Sequence, residues 1–162
     1  MKYAGIIKND FVNGKGVSVS FFAQGCPHRC EGCFNPSTWD FNGGLNATEE
    51  EIITSILKAI SANGIMRNLS ILGGEPLCKE NIHFVQKLIS EVKLAYPSIK
   101  VYLWTGYEYN KLSWAQLEAI EKVDVLIDGK YDKSQRDLTL PLRGSRNQNI
   151  YRRDESGRLT KE

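Results

Sequence analysis

Three thiols fall within eight residues of one another, Cys26, Cys30 and Cys33, in the stretch GCPHRCEGCFNPSTW. Thiols clustered in this way point to metal binding or redox chemistry rather than to disulfides when the chain carries no secretory leader. A structural zinc site wants four closed ligands, and an electron-transfer cluster normally uses four cysteines. Here the C-x3-C-x2-C motif stops at three. On a four-iron cubane that leaves one iron without a protein ligand and free to chelate a substrate, much as catalytic zinc sites keep one position open. The competing reading is a zinc-binding structural module that uses the loop as a staple. Gly25 and Gly32 beside the cysteines suit a tight loop whose N–H groups face cluster sulfides or a bound cofactor.

Other residues carry chemistry less specifically. Gly73-Gly74-Glu75-Pro76 combines two glycines, which let backbone approach a ligand, with a carboxylate that can accept from an ammonium; the same four residues would also make an ordinary strand-to-helix turn. Asp128 and Lys130 in VDVLIDGKYD read either as ligand contacts or as exposed turn charges. Thr105 and Gly106 can complete a pocket wall, whereas Trp104 and Tyr107 read as core. Cys78 reads as a fourth ligand, a redox thiol or a buried structural thiol. His28 and His83 are poor ligand candidates, with His83 on a helix face. The tail from Arg143 to Lys161 gathers five arginines and reads as a solvated end or a docking surface.

The elements that must position these residues alternate. Val17, Val19 and Phe21, spaced by Ser18 and Ser20, predict a half-buried strand entered through Asn13-Gly14 and delivering the chain to Gly25-Cys26. Thr48 and Glu51 form a capping box before the apolar stripe Ile52, Ile53, Ile56, Leu57 and Ile60, which Asn63-Gly64 ends. Leu69 to Leu72 predicts a strand running into Gly73-Gly74, followed by a helix with Ile82, Val85, Leu88, Ile89 and Val92 inward. A strand from Val101 to Trp104, a helix capped by Ser113 and Gln116, and a strand from Val123 to Ile127 complete the pattern. Such alternation predicts βαβ units on a mainly parallel sheet, with ligands gathered at the carboxyl ends of the strands. A complete eight-fold barrel needs about 250 residues, so a single domain of 162 residues is expected to close only part of one.

A formal net charge of +2 gives no reason to expect a nucleic-acid partner. The segment MKYAGIIKND lacks an apolar signal core, and no apolar run is long enough to span a bilayer, so a cytoplasmic protein without a membrane partner is expected.

The cysteine loop resembles the C-x3-C-x-aromatic-C signature of the radical S-adenosylmethionine superfamily, with Gly32 standing where an aromatic is usual and Phe34 just beyond. NGKGVSVSFFAQGCPHRCEGCFNPSTW is similar to the glycyl-radical-enzyme activases within it, and CEGC with STW is most similar to those that act on anaerobic ribonucleoside-triphosphate reductase. The resemblance runs from about residue 3 to residue 148. It implies an α/β fold, a partial (βα) barrel of the radical S-adenosylmethionine type, and a [4Fe-4S] cluster on Cys26, Cys30 and Cys33. It further implies an oxidoreductase that reductively cleaves S-adenosyl-L-methionine to install a glycyl radical on the large catalytic subunit of the reductase. Gly73, Gly74 and Glu75 would hold the methionine amino group, Gly32, Cys33 and Phe34 would line the adenine, and Asp128 and Lys130 would lie near the ribose or carboxylate. A low-potential electron donor such as flavodoxin and a homodimer accompany that reading. Another glycyl-radical enzyme such as pyruvate formate-lyase is the alternative partner.

Overall fold

A computed structural model describes residues 1–162. Eleven elements position the site: strands β1 (Lys2–Asp10), β2 (Ser18–Ala23) and β3 (Leu45–Asn46), helix α1 (Glu49–Ile60), β4 (Asn68–Gly73), α2 (Ile82–Ala95), β5 (Val101–Trp104), α3 (Trp114–Ala119), β6 (Val125–Asp128), β7 (Asn149–Arg153) and β8 (Leu159–Lys161). Both predicted capping boxes form. The Thr48 hydroxyl accepts from the Glu51 N–H while the Glu51 carboxylate accepts from the Thr48 N–H, and Ser113 and Gln116 repeat the exchange at α3. Two unsatisfied helix-start donors are thereby closed locally at each site.

The strands form one mixed eight-stranded sheet in the order β3-β1-β2-β4-β5-β6-β7-β8. This corrects the expected mainly parallel sheet. Only β2, β4, β5 and β6 run parallel, and four of the seven pairings are antiparallel. The reason is in the connections. Helices carry the chain between the four central strands, whereas turns too short for a crossover join β1 to β2 and β7 to β8, and such turns return a strand only antiparallel. The basic tail is likewise more than a solvated end, because β7 pairs with β6 and β8 folds back on β7.

Inward residues of β2, β4 and β5, among them Phe21, Ile71 and Leu103, pack with Ile56 of α1 and Leu88 and Ile89 of α2 in one apolar cluster. The opposite face holds a smaller cluster of Tyr102, Val125, Ile127 and Ile150. β2 is not the half-buried strand its alternation predicts, since Ser18 and Ser20 are fully buried. The turn before it folds back across them: Gly14, at φ +123°, stands where a Cβ would meet the Ser18 hydroxyl at 2.8 Å, and Ser20 donates to Asp10. A strand central to a sheet is covered on both faces, and here that turn covers the polar one, with Ser20 paired to Asp10 and the Ser18 hydroxyl buried without a hydrogen-bond partner. No helix is long and apolar enough to cross a membrane.

Candidate functional site

The carboxyl ends of the four parallel strands carry the four segments singled out from the sequence: Gly25-Cys26 after β2, Gly73-Gly74-Glu75 at β4, Thr105-Gly106 after β5 and Asp128-Gly129-Lys130 at β6. Parallel pairing alone brings them to one edge.

The cysteine loop is pinched at its base, where the Gly25 N–H donates to the Thr38 carbonyl at 2.7 Å and the Cys26 N–H to that of Trp39 at 3.2 Å. Gln24 braces the far side by donating to the carbonyls of Ser37 and Asp40. Gly25, Arg29 and Gly32 take left-handed conformations that turn the chain back on itself. All three cysteines are free and partly buried. The Asn35 N–H donates to Cys33 Sγ at 3.3 Å. Burial pushes the Cys26 and Cys30 thiols up; backbone N–H groups of His28 and Arg29 at Cys26, and of Tyr131 at Cys30, work against it. Those N–H groups favour the thiolate, the form that ligates metal.

Cys78 stands apart. It is buried, accepts from the Asn81 side chain, and its thiol is pushed up to about 12 chiefly by burial. Those surroundings suit the buried structural thiol among the readings the sequence leaves open. His83 is exposed on α2, as its position on a helix face suggests.

The glycine pair has a packing cause. A Cβ on Gly74 would lie 2.4 Å from the Gly25 carbonyl oxygen, and one on Gly73 2.7 Å from the Ala23 nitrogen. The two backbones touch because Gly74 N–H donates to Ala23 O and Glu75 N–H to Gly25 O, both at 2.8 Å. Glu75 itself is 1% exposed. Its Oε1 accepts from the Leu77 N–H and the Thr105 hydroxyl, and its Oε2 from the Gly106 N–H and His28 Nε2, at 2.7–2.8 Å. Those four donors fill the acceptor sites of a carboxylate. Asp128 is similarly committed: it accepts from the Tyr109 N–H and from the backbone and side chain of Asn149.

Other candidates face outward. Lys130 is exposed and lines two polar grooves, of which the one beside Gly106, Asp128 and Asn149 measures about 570 Å³. Phe34 is 56% exposed, packed at its inner edge on Tyr131 and Gly144, with the Arg136 guanidinium 5.9 Å from its ring centre. Gly32 lies against the Lys133 side chain, where a Cβ would come within 3.3 Å. The sequence reading weighs His28 only as a poor metal ligand and gives no sign of its contact with Glu75, 47 positions away, and it does not single out Gln148, which ties Gly129 to Gly144 and Ser145. No local pattern marks either.

No three His, Cys, Asp or Glu side chains gather closely enough to hold a single metal ion. Three sulfur donors on one pinned loop, with N–H groups directed at them, fit a multi-iron cluster in their donor chemistry. The comparisons agree. Residues 12–151 match the family model described as a 4Fe-4S single cluster domain. A protein of Enterobacteria phage T4 is 39% identical over 93% of this chain and 94% of its own length. One of Escherichia coli K12 is 36% identical over 93% and 98%, and one of Vibrio cholerae 38% identical over 94% and 98%. All three are named anaerobic ribonucleoside-triphosphate reductase-activating protein. With near-complete coverage of those relatives and a matching cluster domain, the chain belongs to the family of anaerobic ribonucleoside-triphosphate reductase-activating proteins.

Proposed function

We propose that this chain activates anaerobic ribonucleoside-triphosphate reductase by radical chemistry begun on S-adenosyl-L-methionine, with Cys26, Cys30 and Cys33 each ligating one iron of a [4Fe-4S] cluster. The observation that carries the reading is the count of available thiols: Cys78 is buried and committed elsewhere, so the protein supplies three cysteine ligands. A reduced cluster held by Cys26, Cys30 and Cys33 would supply one electron for the reductive cleavage of S-adenosyl-L-methionine, with methionine and 5′-deoxyadenosine as products and the hydrogen atom drawn from a glycine Cα of the reductase, which would keep the glycyl radical.

The chain's own part is to bind, orient and shield. Phe34 and the backbone of Gly32 and Cys33 present a half-exposed ring and edge for the adenine. Lys130 offers an exposed cation to the carboxylate. With the Glu75 oxygens already filled, the methionine ammonium falls to backbone carbonyls of Gly73 and Gly74, and Glu75 serves by holding the loops around them. Asp128 likewise holds the edge of the groove through Tyr109 and Asn149. The parallel strands β2, β4, β5 and β6 act as the arc of a partial barrel, and the electron comes from a low-potential donor of the flavodoxin kind.

Anaerobically reconstituted, reduced protein is expected to form methionine and 5′-deoxyadenosine, and to generate a glycyl radical on the reductase detectable by electron paramagnetic resonance. Cys30→Ala abolishes both. Turnover surviving in that variant, or a radical-free reductase with the intact protein, overturns the reading.

A further inference from the structure

The spacer between Cys26 and Cys30 contains a side chain that behaves unlike its neighbours. His28 has a side-chain exposure of 7%, although it sits on a loop that is otherwise half-buried or open. Its Nε2 lies 2.7 Å from Glu75 Oε2, and because a carboxylate oxygen only accepts, Nε2 carries the proton. The ring stands edge-on to Tyr107 with centroids 4.7 Å apart. It also lies so close to Gly106 that a Cβ there would come within 2.4 Å of Cδ2. Glu75 in turn is held by Leu77, Thr105 and Gly106, so one carboxylate joins the ends of β4 and β5 to the middle of the cysteine loop.

The loop's other fastenings are of three kinds. Those of Gly25, Cys26, Gln24 and Thr38 close its base and leave the Cys26–Cys30 spacer untouched. The Glu31–Lys133 pair crosses to a neighbouring segment at 3.2 Å, but both side chains are exposed, and such pairs are weak. Within the spacer the Arg29 guanidinium stands 5.8 Å from the Trp39 ring centre, but Arg29 is exposed, and such a contact is weak there. His28 is the buried polar tether of the spacer. We propose that His28 is a positioning residue for the cluster: by donating to Glu75 it fixes the Cys26–Cys30 spacer, so that the thiolates keep one arrangement and the bound irons are retained. The proposal rests on the loop's holding a cluster and not on what the cluster does.

The test uses the full chain reconstituted anaerobically and reads iron loss to a coloured iron(II) chelator, without turnover. His28→Leu fills the space without a donor, and His28→Gln restores an N–H donor to the same oxygen. His28→Leu is expected to release iron on the order of tenfold faster, the size of effect seen when groups that orient metal ligands are removed, while His28→Gln stays close to the natural chain. Should His28→Leu not fold, by circular dichroism, the same comparison is made with His28→Ala. Equal retention in the donorless variant overturns the proposal. So does equally fast loss in His28→Gln, which would assign the effect to ring packing. Either failure leaves the activation reading intact, because that reading is judged by 5′-deoxyadenosine and glycyl radical formation in the natural chain.

Discussion

The Asn81 side chain donates from Nδ2 to the main-chain oxygen of Gln24, 3.0 Å away, across the root of the cysteine loop. The same amide nitrogen lies 3.0 Å from the main-chain oxygen of Glu75, so a single buried amide spans two segments that differ by some fifty positions in sequence. Truncation would take the side-chain donor from both carbonyls, leaving the Glu75 oxygen only the longer bond from the Cys78 N–H at 3.4 Å, and an orphaned buried acceptor costs about 1–3 kcal/mol. Asn81→Ala is therefore expected to lower unfolding stability by about 2 kcal/mol, read as a drop in denaturant midpoint at unchanged slope. An unchanged midpoint would mean that these carbonyls have other partners.

Gly74 and Gly5 make a matched pair. A methyl group on Gly74 meets the Gly25 carbonyl oxygen at 2.4 Å, a backbone atom that cannot swing aside, whereas one on Gly5 meets nothing within 4 Å. Gly74→Ala is expected to destabilise by about 2–3 kcal/mol, as overpacking does, and to push the end of β4 off the cysteine-loop root. Gly5→Ala is expected to fall within about 0.5 kcal/mol of the natural chain. Thermal melts of the two variants in parallel check this, and equal melting temperatures would refute the packing account of the glycine pair.

Much of the framework could be read locally. Thr48 with Glu51 and Ser113 with Gln116 announce their helices because each box is complete within four residues, and Leu69 to Leu72 announces β4 by its apolar run. The strand ends followed from those elements, and with them the meeting of Gly25-Cys26, Glu75, Gly106 and Asp128. β1 escaped because register shifts at Tyr3/Gly5 and Ile7/Asp10 break its alternation, and a slip of one residue exchanges the faces. β7 escaped because Arg152 and Arg153 look like surface charge. Yet Arg153 donates to the carbonyls of Ile120, Val123 and Gly157, a set of partners only the folded chain assembles. The polar commitments of Glu75 and Asp128 were invisible for the same reason: carboxylates positioned to meet a ligand and carboxylates already filled by their own chain have the same sequence.

Arg67 tests whether stability and the site can be separated. It is 5% exposed; Nη1 donates to the carbonyls of Ala59, Ala62 and Ile65, and Nε to Asn9. A cation beside the last carbonyls of α1 satisfies acceptors that the helix cannot and complements its dipole. Arg67→Met keeps the aliphatic stem and is expected to cost about 2–3 kcal/mol. Because Arg67 lies at the amino end of β4, opposite the cysteine loop, the variant that remains folded is expected to bind as much iron as the natural chain. Iron lost in proportion to stability would show the two ends to be coupled.

Asp128 and Lys130 are two residues apart and are expected to fail in opposite ways. Asp128 is 1% exposed and accepts from Tyr109 and Asn149, so Asp128→Ala leaves three donors unanswered and is expected to lower stability by about 2–3 kcal/mol. Lys130 is exposed between two grooves, and no salt bridge engages its ammonium, so Lys130→Met removes charge without removing a structural contact. Its melting temperature is expected to stay with the natural chain, while the affinity of the cluster-loaded protein for S-adenosyl-L-methionine falls on the order of tenfold, the worth of one partly desolvated charge-assisted hydrogen bond. Equilibrium dialysis with labelled S-adenosyl-L-methionine, set beside the two melts, separates the roles. Undiminished binding in Lys130→Met would remove this lysine from the site and place the ligand's carboxylate elsewhere along the strand ends.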